Sequence, residues 1–482
     1  MEPPLETIIT VAVGGSADSG KSTLIGVTTT GIYDDGNGSA SKTVAVHPHE
    51  ITNRRTSSIS TRIYPVNDNQ AVTLVDLCGQ SKYFGTTSYG ISGYFPDYAF
   101  VLVSANRGVL VMTKQHIRLL MSFGIPIIFV ITHIDLIKED NKRIYEETKS
   151  GIANICCSYV GRTSPSSVVS FVNNYEDQQI SDQEIINIKE NGAVENILDC
   201  LRTNSNGKQM LFPVITISNK TGFFFNAIRK LLTRLTPRLF WSEDSNITKM
   251  FLMKIPPSIS LSPKISFTGS VFYIDSAYNP LGIGLVACGI LRGDPITKND
   301  NVIIGPFGRE FIDVKVRSIH NNARQSILQL KDHHRGCIAF TTKKAEITRS
   351  QIKSGVIILN SYDLIAKICF KFRAAIIVFT GKTTIKSGYV PVLHLATIKQ
   401  PVRLHIDPTE NEGRDTVISN TIAIVSLKFL FRPEFIEPYN IFVFRNGTIE
   451  GIGMVLQTYS IVEDMVSKPE IIKITKRRTI KS

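Results

Sequence analysis

The sequence lacks any apolar run long enough to cross a bilayer, any basic leader and any paired cysteines. Its apolar stretches, such as AFVLVSA and IPIIFVIT, are strand-sized and fall far short of the ~18 residues that a spanning helix needs. The N-terminus, MEPPLETIIT, carries acidic residues where a secretory leader needs basic ones. A soluble, cytoplasmic chain is expected, with no membrane partner. The seven cysteines (Cys78, Cys156, Cys157, Cys200, Cys288, Cys337, Cys369) are odd in number and contain no CxxC, and none stands in metal-ligand spacing with the nine histidines. That usage fits reduced thiols rather than a disulfide framework or a zinc site. No internal repeat is visible, which argues against a solenoid or a propeller.

What is present is enough for several packed cores. The chain has 482 residues, 43% of them hydrophobic and 20% charged, which suits about three domains and excludes wholesale disorder. Lys and Arg number 54 against 41 Asp and Glu, a net charge of +13. The excess is unevenly placed. Residues 1–237 hold 21 basic and 21 acidic side chains, whereas residues 238–482 hold 33 and 20. Within that second half the tail contributes Lys468, Lys473, Lys476, Arg477, Arg478 and Lys481 against Glu470. A neutral front half and a basic back half point to two jobs, the second involving a polyanion.

The front half alternates strand and helix patterns. Strands are predicted at 6–15, 71–79, 97–106, 125–135 and 212–219, with helices at 21–31, 113–123 and 227–235. Near-continuous apolar strands alternating with helices mean a mostly parallel sheet with helices on both faces. The polar, acidic segment 160–200 reads as an insertion. After Pro237 the pattern changes. A Pro/Ser-rich connector gives way to many short β-branched runs with turn signals between them, which suits two small antiparallel β-barrels in succession. The expected division is 1–240, a linker at 241–263, barrels at 264–360 and 361–465, and a basic tail at 466–482.

Four segments carry chemistry. Gly15-Ser16-Ala17-Asp18-Ser19-Gly20-Lys21-Ser22, followed by Thr23, fits GxxxxGK[ST] between a strand and a helix. Its backbone N–H groups can wrap phosphates at a helix N-terminus. Lys21 would reach the β- and γ-phosphates and Ser22 would ligate Mg²⁺. Asp76-Leu-Cys-Gly79-Gln80 closes the next predicted strand. There Asp76 can hold Mg²⁺ through water, Gly79 can sense a γ-phosphate and Gln80 can orient an attacking water. Thr132-His133-Ile134-Asp135 ends a later strand. A carboxylate at Asp135 can accept from guanine N1 and N2, which adenine cannot offer. Ser218-Asn219-Lys220 follows the last strand and would contact the same base through its backbone. Each segment sits at the C-terminal end of a strand, where open α/β sheets bind ligands.

On these segments, and on HPHEITNRRTSS, VDLCGQSKYFGTTSYGISGYF, NPLGIGLVACGILRG and RPEFIEPYNIFVFRNGTIEGIGMV, the chain resembles the translation-factor GTPases of the elongation factor Tu type. Within them it is most similar to the eukaryotic GTP-binding protein one/two subgroup. The resemblance implies an α/β P-loop GTPase domain followed by two small antiparallel β-barrels. It implies Thr56 as the switch threonine meeting Mg²⁺ and γ-phosphate, with Lys21, Thr56 and Gln80 as catalytic residues. It also places His47, His49 and Glu50 in the switch rather than at a metal. GTP would be hydrolysed to GDP slowly by the chain alone and faster with a GTPase-activating partner, switching a monomer's interaction with tRNA, ribosome or other RNA. Three departures stand out: Gln80 where these factors usually have His, His133 in place of the base-packing Lys, and Ala17 with Arg55 in place of an apolar gate. Two alternatives follow, a nucleotide-binding scaffold with little hydrolysis and the GTPase subunit of a sulfate-activating enzyme.

Overall fold

A computed structural model describes residues 7–45, 56–67, 70–205, 210–238, 246–257, 259, 261, 269–342, 347–379, 385–446 and 448–461. His47, His49, Glu50, Arg55 and the basic tail lie outside the described residues. The chain divides into two compact units, residues 1–91 with 95–241, and residues 92–94 with 242–482.

The first unit is built on a seven-stranded sheet of β1 (Thr7–Gly15), β2 (Ser60–Asn67), β3 (Gln70–Asp76), β4 (Tyr98–Ser104), β5 (Ile127–Thr132), β6 (Val169–Phe171) and β7 (Phe212–Thr216), in the order β2-β3-β1-β4-β5-β7-β6. Every pairing is parallel except β2 with β3. All seven residues of β4 and all six of β5 are buried, so these strands need no alternation of polar side chains. Among the described residues the longer helices are α1 (Lys21–Thr30), α2 (Phe84–Tyr94), α3 (Val111–Ser122), α4 (Lys142–Val160), α5 (Gln183–Ser205) and α6 (Phe225–Arg234). Leu24 and Ile25 of α1, Ile197 and Leu201 of α5, and Ile228 and Leu231 of α6 share one core with Val11 and Val13 of β1.

Three expectations need correction. The segment 160–200 is no mere insertion, because it supplies edge strand β6 and most of α5. Its buried side chains, Ala193, Val194, Ile197, Leu198 and Leu201, recur at helical spacing on one face of an otherwise polar helix. Antiparallel β2 intervenes between the P-loop and Asp76; its half-exposed residues lack the continuous apolar run of its neighbours. The connector also carries a helix, Asn246–Lys254.

The second unit contains two closed, six-stranded antiparallel barrels. The first uses β8 (Ser270–Tyr278), β9 (Val286–Gly293), β10 (Asn301–Phe307), β11 (Glu310–Asn321), β12 (Arg335–Thr342) and β13 (Ile357–Leu359), closed by the β10–β11 pair. The second runs from Ile368–Val378 to Thr448–Ser460 and closes between Ile368–Val378 and Ile422–Phe429. Closure leaves few strand edges to aggregate. Among the described residues no helix is long and apolar enough to cross a membrane.

One buried acid ties the end of the first unit to its sheet. Asp97 accepts from the Thr10 N–H at 2.7 Å and the Arg238 N–H at 3.0 Å. Burial raises its pKa to about 6 against those hydrogen bonds. Because the folded carboxyl holds its proton more tightly than the unfolded one, its contribution to stability is greatest below pH ~4 and is lost as pH rises through 6. A shift of this size corresponds to at most about 3 kcal/mol. Urea-unfolding midpoints of the full chain should therefore fall between pH 4 and 6 by more than those of Asp97→Asn, and identical slopes would contradict the assignment.

Candidate functional site

The glycines of the 15–22 loop are there for geometry. Gly15 has φ 133°, and a Cβ on it would meet the Leu102 carbonyl at 2.4 Å. Gly20, at φ 82°, forms the N-cap of α1. The turn thereby aims the first N–H groups of α1 into the loop. Ser19 Oγ and Lys21 Nζ both donate to the Ser16 carbonyl, at 2.9 and 2.7 Å, and the Ala17 N–H donates to the Gly79 carbonyl at 3.1 Å. Lys21 is 6% exposed. Burial lowers its pKa, and the neighbouring Asp76 carboxylate opposes the shift. Asp18 stays on the surface in an exposed pair with Arg107 at 3.3 Å, a kind of contact worth little. Thr23 lies in the first turn of α1.

The three expected metal ligands converge. Ser22 Oγ donates to Asp76 Oδ2 at 2.6 Å, Thr56 Oγ1 donates to the same oxygen at 3.2 Å, and the two hydroxyls are 3.2 Å apart. Two hydroxyls and a buried carboxylate make an all-oxygen set, which fits a hard cation such as Mg²⁺. Among the described residues no group of three or more His, Cys, Asp or Glu is placed to hold a metal, so the hydroxyls are what make the set. Gln80 follows Gly79 in an extended conformation, partly exposed, and caps a short 3-10 turn at Ser81–Tyr83.

The two segments expected to read the base meet the loop through hydrogen bonds. Thr132 Oγ1 donates to the Ser19 carbonyl at 2.9 Å, and Asn219 Nδ2 reaches the Gly20 carbonyl at 3.4 Å. Asp135 Oδ1 accepts from Ser218 Oγ at 2.6 Å. That hydroxyl in turn accepts from the Lys220 and Thr221 N–H groups at 3.2 and 3.1 Å, which fixes the carboxylate. His133 sits in the left-handed region at φ 60°. Its Nδ1 lies 3.0 Å from both Ser104 Oγ and Thr132 Oγ1, and burial lowers its pKa. The ring is thereby tethered through Nδ1 to two hydroxyls. Lys220 is exposed, and its stem packs beside Gly36.

Sequence reasoning missed His116. This fully buried residue of α3 accepts the Gly15 N–H on Nδ1 at 2.8 Å and stacks on Phe84, the first residue of α2, with ring centroids 6.2 Å apart. Burial, with the Lys21 charge second, drops its pKa to about 3, so it stays an acceptor at neutral pH. The only sequence signal was a histidine on a helix's apolar face, which says nothing of a loop 101 residues away.

The basic second half shows order of its own. In the second barrel Arg403 pairs across strands with Lys428, and Lys428 with Lys371, giving a row of like charges on three adjacent strands. All three are exposed, and Lys371 Nζ lies 5.2 Å from the Tyr459 ring centroid on a fourth strand. No ion pair engages any of the three among the described residues. Like charges placed directly opposite destabilise a sheet. His333 and His334 lie in the turn before β12.

The family model of the elongation factor Tu GTP binding domain matches residues 6–238. GTP-binding protein 1 of Xenopus laevis is 28% identical over 491 residues, covering 96% of this chain and 65% of the relative. GTP-binding protein 2 of Homo sapiens is 26% identical over 475 residues, covering 94% and 69%. The chain thus spans about two thirds of these relatives' length. Among solved structures, translation elongation factor SelB of Methanococcus maripaludis with the GTP analogue GppNHp superposes with a TM-score of 0.59 at 18% identity, over 96% of this chain and 81% of that one.

Proposed function

We propose that this chain, whose residues 6–238 match the elongation factor Tu GTP binding domain, is a translation-factor GTPase that binds GTP, hydrolyses it to GDP and phosphate, and uses the cycle to switch its hold on tRNA, ribosomal or other RNA. The observation that carries the reading is the convergence of four motif segments at the C-terminal ends of β1, β3, β5 and β7, tied to one another by the Ala17–Gly79, Ser22–Asp76, Thr132–Ser19 and Ser218–Asp135 hydrogen bonds.

Each group then has a task. Phosphate oxygens take over the Lys21 ammonium from the Ser16 carbonyl and the Ala17 N–H from the Gly79 carbonyl. Gly15, Ser16, Asp18, Ser19, Gly20 and Thr23 shape the surrounding cradle. Asp135 accepts from the guanine N1 and N2 groups, while Thr132, His133, Ser218, Asn219 and Lys220 frame the base. Ser22 and Thr56 would hold Mg²⁺, with Asp76 reaching it through water, and such an ion would supply positive charge beside the phosphates. Gln80 orients the attacking water. The reaction is slow in the chain alone and is accelerated by a partner. The working division is the one read from the sequence: residues 1–240 for the nucleotide, 241–263 as linker, 264–360 and 361–465 as barrels, and 466–482 as tail. The molecule acts as a cytoplasmic monomer.

The RNA half of the reading rests on the Arg403–Lys428–Lys371 row and the basic tail. A row of cations that no ion pair engages among the described residues costs the barrel stability unless it meets a polyanion. Each phosphate neutralised adds about 0.7–0.9 to the slope of log K against log salt. Replacing all three side chains by Ala should therefore flatten the slope for bulk tRNA or ribosomal RNA by about 2–3, and deleting residues 468–482 should flatten it further. Filter binding between low and moderate salt measures both. Salt-independent binding by the unaltered chain would refute the RNA reading.

A further inference from the structure

Away from the nucleotide site, the first barrel places two thiols together. Cys288 of β9 and Cys337 of β12 are directly opposite in the antiparallel register, between the pairs Gly289–Gly336 and Ala287–Ile338. Ala287 and Ile338 point into the barrel core, so the two-residue period of a strand turns both cysteines to the outer face. Their sulfurs are 2.8 Å apart and both residues are partly exposed. The other five cysteines are buried.

The surroundings make the two thiols unequal. The two thiols share one hydrogen bond, which holds Cys337 below the usual thiol range and pushes Cys288 up. Burial and the Asp275 carboxylate oppose the shift at Cys337, while the Arg335 guanidinium, two residues away on the same strand, assists it. Arg335 is itself held by an ion pair to Asp275. A low-pKa thiol beside a partner thiol on a neighbouring strand is the arrangement of an attacking and a resolving cysteine.

We propose that Cys288 and Cys337 form an oxidation site that closes to an intramolecular disulfide when it meets a hydroperoxide. The chemistry balances in two steps. The Cys337 thiolate attacks one peroxide oxygen, the O–O bond breaks, and Cys337 becomes a sulfenic acid while hydroxide (or alkoxide) leaves. The Cys288 sulfur then attacks the sulfenic sulfur, the S–O bond breaks, its proton leaves with the hydroxyl as water, and the S–S bond forms. Two thiols lose two electrons and the peroxide gains them. Cross-strand neighbours have Cα atoms about 4.5–5.5 Å apart, within the span a disulfide bridges, so β9 and β12 need not change register. The site is independent of the nucleotide chemistry.

The test uses the full chain, reduced and then treated with hydrogen peroxide. Accessible thiols are alkylated natively, and the remaining thiols are alkylated with a heavy label after unfolding and again after reduction. The expected result is the loss of two alkylatable thiols and a reducible Cys288–Cys337 peptide in the digest, with Cys78, Cys156, Cys157, Cys200 and Cys369 still thiols after unfolding. In Cys288→Ser the expected product is a sulfenic acid at Cys337, trapped by dimedone. Native alkylation of both cysteines after peroxide would overturn the proposal. A disulfide joining either one to a different cysteine, or joining two chains, would overturn it equally.

Discussion

Asp135→Asn is expected to cost GTP affinity about 10²–10⁴-fold and to raise XTP affinity by a comparable factor. A carboxylate only accepts hydrogen bonds, and guanine offers it two donors on one edge. Hydrogen bonds to a charged group are worth about 1.5–3 kcal/mol each, so losing both costs about 3–6 kcal/mol, which gives the stated range. Xanthine carries oxygen where guanine carries the amino group, and the Asn amide donates to it. The substitution leaves the local structure intact, because the amide oxygen can still accept from Ser218 Oγ, which the carboxylate does now at 2.6 Å. Competition of GTP and XTP against a fluorescent GDP measures the exchange. Equal loss of both nucleotides, or loss of neither, would mean that the base is read elsewhere.

Lys21→Ala should lower the rate of phosphate release by about 10²–10³-fold, as removal of one preorganised donor does in other active sites. The same change should leave thermal stability unaltered or slightly raised. Lys21 is buried with the Ser16 carbonyl as hydrogen-bond acceptor at 2.7 Å, and burial lowers its pKa. Keeping that ammonium out of water therefore costs the resting fold, a cost accepted for a ligand. Alanine at the first position of α1 is compatible with the helix. Melting curves and single-turnover rates on the same preparation test both statements. A variant that loses activity by unfolding would show the opposite sign on stability.

The parts of the molecule legible in the sequence were those encoded by neighbours. The loop from Gly15 to Ser22 declares itself because two glycines and a lysine at fixed spacing follow an apolar strand, and the strand endings at Asp76, Asp135 and Ser218 are equally local. The barrels were legible as short β-branched runs with turns between them. Features set by register or by packing were not. His116 reaches Gly15 only because α3 lies against β1, and α5 hides its apolar face among acidic and polar residues. The Cys288–Cys337 pair and the Arg403–Lys428–Lys371 row exist only once strands are aligned; in the sequence the members stand 25 residues or more apart. The departures at Gln80 and His133 were visible as letters, whereas the tethering of His133 by Ser104 and Thr132 required the fold.

GTP hydrolysis is tested most directly by release of phosphate from [γ-³²P]GTP by the full chain, alone and with ribosomes, beside Lys21→Ala and Gln80→Ala. The expected result is slow release by the unaltered chain, faster release with ribosomes, and a loss in both variants, with Gln80→Ala still binding GTP. Release by the unaltered chain equal to that of Lys21→Ala, with ribosomes present, would contradict it and leave a nucleotide-binding scaffold in its place.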